Sequence, residues 1–374
     1  DSLPYQRTIS NTETLVTKIQ ALSALADNGL STKPTVTIAS ASALMQKVIP
    51  YKDFISAWHS VKRNMEIEPL NLLSWWQTIG YRRENLVELP GQISRRGGII
   101  DVYPTTSELP ARLEFFGNTI DSIHLFDPKS QRSLKPISAI DIGPAAELLE
   151  PLRADKSKLK AFLRNINLIN LNDEAKQKFQ QELAMLLDNE LPVNWQLYAP
   201  LFNYDSILSY LPQDALLILD ELTTIQRTVE SLGAKTSQLF EEKLARGELP
   251  QNIPEPYFTW QKLRAKIGKH QHLLLSALGS VRQEHQRLNF VSSPSYVGQL
   301  PAFAKKAKQF MKQKHRFILV SHQASRLAEL LAEEDIIVSP ITEIGQPPSP
   351  GCLVLVQGLL ASGWVMNGDN HLLT

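Results

Sequence analysis

The chain has 374 residues, which at roughly 150 per domain points to two to four domains. Its 43% hydrophobic and 21% charged residues are ordinary for a folded globular protein, and 39 basic against 38 acidic side chains leave a net charge of +1, which argues against a dedicated, strongly basic nucleic-acid binder. The single cysteine, Cys352, excludes an internal disulfide and fits a reducing compartment, and no apolar run reaches the roughly 18 to 20 residues of a membrane-spanning helix.

Ser10 and Glu13 have the spacing of a capping box. They predict a helix carrying Leu15, Ile19, Leu22 and Leu25 on one side, closed by Gly29. Thr35 to Ala39 predicts a short buried strand and Ala41 to Val48 a second helix. Between Glu68 and Tyr81, Leu72, Leu73, Trp75, Trp76 and Ile79 predict a further helix. The adjacent tryptophans have the composition of a nucleic-acid stacking platform. Leucines at helical spacing beside them favour a core face instead.

From Tyr81 to Glu147 the rhythm changes to short strands separated by turn signals: Pro90-Gly91, then Arg96-Gly97-Gly98, then Gly117-Asn118. The last pair lies between two apolar-alternating runs, Ala111 to Phe116 and Thr119 to Phe126, the pattern of a two-residue hairpin loop. Strands this short, joined by loops, predict an antiparallel sheet. Side chains alternate along a strand, so Arg112, Glu114 and Phe116 should share one face while Leu113 and Phe115 point to the other. An arginine beside an aromatic is the composition of a binding hot spot. No nucleophile stands beside a base in this stretch, and no metal-ligand spacing occurs.

Pro151 to Leu191 reads as polar and helical, with Leu159, Phe162 and Leu163 and then Phe179, Leu183, Leu186 and Leu187 on its apolar faces. Leu216 to Glu221 (LLILDE) has the form of a Walker B strand, in which Asp220 would help hold magnesium and Glu221 orient water. That chemistry needs a Gly-x4-Gly-Lys-Ser/Thr loop, which the sequence lacks, so a relic strand end capping the next helix is expected. Gly247 to Tyr257, with Pro250, Pro254 and Pro256, reads as a loop. Beyond it, helices at Leu300 to Lys314 and Gln323 to Glu333 alternate with strands at Phe317 to Ser321, Ile336 to Pro340 and Cys352 to Gln357, predicting a small parallel α/β domain. Lys305, Lys306, Lys308, Lys312 and Lys314 are expected on the solvated face of the first helix. The chain begins at Asp1 and ends on a strand-like HLLT, so a piece of a longer protein is expected.

The runs RRGGIIDVYP and LPARLEFFGNTIDSIHLFDPKSQRSL resemble the UvrB-like second domain of bacterial transcription-repair coupling factors, the Mfd family. The matching positions are Arg96, Gly97, Asp101, Pro104, Arg112, Glu114, Phe115, Phe116, Asp121, Ser122, Phe126, Asp127, Gln131 and Arg132, about forty residues with spacing kept. The opening Leu3-Pro4-Tyr5 and TVTIASASALMQKVIP resemble that family's first domain, entered partway.

The resemblance implies a multidomain α/β fold: a UvrB-like α/β domain with an inserted antiparallel, β-rich UvrA-binding domain, followed by a small parallel α/β domain. The expected divisions are 1–60 (truncated domain 1a), 61–145 (domain 2, UvrA-binding), 146–283 (domain 1b, a degenerate ATPase fold) and 284–374 (domain 3). It implies UvrA docking through Arg96, Arg112 and Phe116, no catalytic residue in this stretch and no cofactor. ATP and magnesium would belong to the DNA-translocating motor of the longer protein, which is also expected to meet RNA polymerase and DNA. A C-terminal domain is expected to mask the UvrA surface at rest, in the bacterial cytoplasm. Two other readings follow from the residues: a UvrB-like damage-recognition protein, which would need a phosphate loop and a DNA-inserting aromatic hairpin, and a plain DNA-binding module using the lysines near residue 305.

Overall fold

Two compact units divide the chain between residues 277 and 278 in the computed structural model, which describes residues 4–5, 12–26, 36–150, 156–277, 288–296 and 298–374. In the first unit the helix Thr12–Ala26 buries Ile19, Leu22 and Leu25, the stripe its spacing requires. Ser10 and Gly29, its expected caps, lie outside the described residues.

Two expectations near the start are corrected. Residues 36–40 form no strand, and Val36 and Ile38 are 86% and 94% exposed; Thr35 lies outside the described residues. A β-branched, alternating sequence makes a strand only where a neighbour accepts its hydrogen bonds, and none pairs with this run among the described residues. The second helix stops at Met45, covering Ala41–Met45 only. Gln46 and Val48 instead form bridges to Tyr257 and Asp205, so long-range pairing wins over local helix propensity.

Strand β1 (His59–Lys62) precedes the helix Pro69–Thr78, which starts with proline in its first turn, where the missing N–H is harmless. Next come β2 (Arg82–Arg83), β3 (Gln92–Arg96), β4 (Ile99–Val102), β5 (Ala111–Phe116), β6 (Thr119–Phe126) and β7 (Ser133–Pro136). They form one six-stranded sheet in sequence order, β2-β3-β4-β5-β6-β7. It is antiparallel except for the short β2–β3 pair, which runs parallel. The turn glycines behave as the sequence implies: Gly97 and Gly117 have φ of +62°, and Gly117 occupies the first loop position that a type II′ hairpin reserves for glycine. Strand β8 (Ala139–Ile142) pairs antiparallel with β1.

One face of this sheet is the core. Ile93, Ile100, Val102, Ala111, Leu113, Ile120 and Ile123 are fully or almost fully buried with Leu72, Leu73 and Trp76 of the helix and with Val61, Ile140 and Ile142 of the β1–β8 ribbon. Trp76 and Trp75 thus serve packing. The Trp76 indole N–H donates to His59 Nε2 at 2.9 Å, and the His59 ring stacks on Trp75 at 3.6 Å between centroids. Burial pushes the His59 pKa down to about 4.

The stretch Pro151 to Leu191, expected to be helical, holds two helices, Ser157–Asn165 and Asp173–Leu187; residues 151–155 lie outside the described part. Asn172 starts the second helix by accepting from the Ala175 N–H. Strands β9 (Leu216–Asp220) and β10 (Gln271–Leu275) form a separate two-stranded parallel sheet. The 24-residue helix Leu222–Ala245 follows β9.

The second unit holds β11 (Phe290–Ser292), β12 (Arg316–Ser321), β13 (Pro340–Ile341), β14 (Leu353–Gln357), β15 (Trp364–Met366) and β16 (Asn370–Leu373) in the order β11-β15-β16-β12-β14-β13. The helices Leu300–Lys312 and Ala324–Glu333 pack Phe303, Ala307 and Leu331 against Phe317, Leu319, Leu353 and Leu355 of the sheet. The expectation of a parallel sheet holds for β13, β14, β12 and β16, but β15 and β11 are antiparallel, so the sheet is mixed. The strand expected at Ile336 to Pro340 is displaced: only Pro340 and Ile341 pair, while Ile336 is buried as a loop anchor. The expected lysines lie on the outer side of their helix: Lys305, Lys306, Lys312 and Lys314 are exposed, whereas Lys308 is half-buried and paired with Asp335.

Two measurements check the packing around the sheet. Gly80 has φ of +104°, and a Cβ there would meet Ala146 Cβ at 2.4 Å and Ala146 N at 2.6 Å. Gly80→Ala should therefore cost about 2 kcal/mol or more in chemical denaturation; an unchanged midpoint would contradict this packing. The His59 pKa is depressed in the fold, so its stabilisation is full above pH 6.5 and is lost as pH falls towards about 4. The stability gap between wild type and His59→Asn should narrow from pH 7 to pH 4.5. A constant gap would contradict it.

Candidate docking site on the outer face of the six-stranded sheet

The outer face of the sheet is polar because period-2 alternation sends every second residue away from the core. Cross-strand register brings Ser94 and Arg96 of β3, Ile99 and Asp101 of β4, Arg112 and Glu114 of β5, and Ser122 and His124 of β6 onto it. Asp101 faces Arg112 directly, and Glu114 faces Ser122. A register shift between Glu114 and Phe115 leaves Asp121 unpaired, a bulge that bends the hairpin at its tip. Phe115 packs inward, while Phe116 is 84% exposed.

The centre of this face is an ion-pair network around a buried carboxylate. The Asp101 side chain is 1% exposed. Its Oδ1 accepts from Arg112 Nε at 2.8 Å, and its Oδ2 accepts from Arg112 Nη2 at 3.0 Å and Arg96 Nη2 at 2.8 Å. Arg112 is 16% exposed and also donates from Nη1 to the Gln131 carbonyl at 3.3 Å. Its guanidinium lies over the buried Phe126 ring, 4.8 Å from the centroid. The hydrogen bonds to Asp101 push the Arg112 pKa above its ordinary value. Arg96, by contrast, is 51% exposed.

A loop holds this arrangement from one side. Asp127 Oδ1 accepts from the N–H groups of Lys129 and Ser130, and these hydrogen bonds, that of Ser130 foremost, keep the Asp127 carboxyl below its ordinary pKa. Gln131 sits at φ +59° and donates from Nε2 to the carbonyls of Val87 and Pro128. Ser94 Oγ donates to the Asn85 carbonyl nearby. One part of the face is thus tied beneath loops, while Arg96 and Phe116 stay accessible.

The structure therefore brings Arg96, Arg112 and Phe116 onto one sheet face. It also shows what their pattern did not reveal: Arg112 is committed to internal bonds, and Asp101 and Gln131 anchor it. A carboxylate within the apolar run of β4 was the available signal for Asp101. Asp220 and Glu221 lie elsewhere, at the end of β9 in the two-stranded sheet. Glu221 has φ of +55° and is the N-cap residue of the helix that follows, as expected of the strand end, but it caps through its carbonyl, which accepts from the Thr224 and Ile225 N–H groups, and not through its side chain. Its carboxylate accepts from the Ala277 N–H beyond the end of β10. Among the described residues no group of three or more His, Cys, Asp or Glu is placed to hold a metal ion, and no helix is long and apolar enough to cross a membrane.

The model of the UvrB interaction domain family matches residues 60–148, the segment that contains the whole six-stranded sheet. Curated relatives extend the match along the chain. The transcription-repair-coupling factor of Bacillus subtilis (strain 168) is 29% identical over 349 residues, covering 88% of this chain and 29% of the relative. Those of Staphylococcus aureus strains Mu50 and bovine RF122 are 24% and 26% identical over 373 and 312 residues, covering 93% and 76% of this chain and 30% and 25% of the relatives. The chain thus spans less than a third of the length of these relatives. Residues 60–148 resemble a UvrB interaction domain, and over most of its length the chain resembles the transcription-repair-coupling factors.

Proposed function

We propose that this chain is a non-catalytic recruiting part of a transcription-repair coupling factor, which brings UvrA to RNA polymerase stalled at DNA lesions for nucleotide excision repair. The observation that carries the reading is the outer sheet face: an accessible aromatic ring at the end of β5 and a half-exposed guanidinium on β3 of the same sheet. Large rings and arginines dominate protein–protein contacts because each removes much surface from water in few conformations. The similarity to a UvrB interaction domain, and to coupling factors along the chain, supports the same reading. Arg96 and Phe116 would be the direct contacts, with Arg112 beneath them.

The other assignments follow from that reading. The sheet domain (61–145) would be inserted between two parts of a UvrB-like α/β domain (1–60 and 146–283), with residues 284–374 as a further small domain. ATP, magnesium, DNA and RNA polymerase would be handled by the rest of the longer protein, in the bacterial cytoplasm. The engagement of Glu221 with Ala277 supports a structural role for the β9 strand end.

Phe116→Ala and Arg96→Ala should each weaken UvrA binding by about 1 to 3 kcal/mol in calorimetry, with the fold intact because both side chains are exposed. Wild-type affinity in the double variant would rule out this face. Arg112→Ala is a less clean probe: it strands the buried Asp101 and should also destabilise the fold by about 3 kcal/mol. The chain should bind UvrA more tightly than the intact coupling factor, since a masked resting state lowers apparent affinity by its population. Equal dissociation constants would contradict masking. With a net charge of +1, any binding to duplex DNA should be weak; tight binding that collapses steeply with added salt would favour the DNA-binding alternative.

A further inference from the structure

We propose that Asp101 is a positioning residue of this surface: it fixes Arg96 in place before the partner arrives. The proposal rests on the reading of the outer sheet face as the UvrA-docking surface, and it adds a residue that touches no partner. At 1% exposure, the Asp101 side chain is not a contact. Its two oxygens are already satisfied by the fork of Arg112, one bond to each. The third bond, from Arg96 Nη2 to Oδ2, is therefore not needed to compensate burial. What it does is restrain a long, rotamer-rich side chain whose guanidinium is half in water. A restrained contact loses less freedom on association, so the same contacts hold longer.

The geometry also states what the partner must offer. Arg96 uses Nη2 internally, and its other N–H groups have no partner among the described residues. The side chain is 51% exposed on the sheet face that also carries Phe116. The complementary surface is a carboxylate within reach of Arg96 and an apolar recess for the ring, a charge-assisted bond beside a hydrophobic anchor.

Binding kinetics of purified UvrA with immobilised chain test this, using wild type, Asp101→Asn, Arg96→Ala and the double variant. Circular dichroism first confirms that each variant is folded at the working temperature. The expected result is a dissociation rate raised about tenfold in Asp101→Asn, with an association rate unchanged or higher because a negative charge has gone. Arg96→Ala should cost less in the Asp101→Asn background than in the wild type, since the arginine it removes is already unrestrained. An unchanged dissociation rate in Asp101→Asn, or losses that add fully in the double variant, would overturn the proposal. So would tighter binding by Asp101→Asn, which would show that the carboxylate acts only as an opposing charge. If Asp101→Asn does not fold, Asp101→Asn/Arg112→Gln compared with Arg112→Gln carries the same test, because neither charge is then left buried alone. The double variant should dissociate several-fold faster than Arg112→Gln, and equal rates would overturn the proposal. If the wild-type chain shows no binding at all, the docking reading itself fails and the proposal with it, an outcome told apart by needing no variant.

Discussion

A carboxylate taken out of water is the constraint around which the sheet domain is arranged. Burying the Asp101 charge costs several kcal/mol unless its oxygens are fully engaged. The fold supplies a bidentate arginine directly opposite on the neighbouring strand, with one bond to each oxygen, and a second arginine from the strand on the other side is drawn to the same carboxylate. Those bonds in turn fix where Arg112 lies, and Arg112 lies over Phe126 and under the carbonyl of Gln131. The loop 127–132 is therefore coupled to the strands through one guanidinium. Replacing this cluster with well-packed apolar residues would be compatible with stability in general terms. Its presence on a face with an exposed ring is what the proposed docking role would account for.

The division of labour within the site follows from burial. Phe116 projects into solvent at a hairpin tip, where a bulge at Asp121 bends the ribbon. Phe115, its neighbour, closes the core. Arg112 and Arg96 have the same side chain and share one carboxylate, yet one is mostly buried and the other half exposed. In the proposed docking, Arg96 and Phe116 would meet the partner, and Arg112 would serve through the shape it maintains.

The sequence was most legible where one signal sufficed. The β5–β6 hairpin was readable to the residue because Gly117-Asn118 is flanked by two runs of alternating apolar residues. The faces of Leu113, Phe115 and Phe116 followed from period two alone. The helix at Trp75 and Trp76 was readable from its leucines. Failures came where distant pairing decides. Thr35 to Ala39 has strand composition, but its described residues, 36–39, find no pairing strand among the described residues, and the helix from Ala41 is cut short by bridges to Tyr257 and Asp205. The pairing of β11 with β15 in the second unit depends on contacts between residues some seventy positions apart, which no local pattern encodes. Within the site, the alternation placed Arg112 on the outer face but was silent on its burial, because a loop fifteen or more residues downstream covers it.

The most direct measurement of the docking account is a nuclear magnetic resonance footprint of UvrA on the isotopically labelled chain. Arginine side-chain and phenylalanine ring signals should shift at Arg96 and Phe116, with backbone changes confined to β3, β4 and β5. Perturbations centred instead on β9 and β10, or on the lysine-bearing helix Leu300–Lys312, with Arg96 and Phe116 unmoved, would contradict it.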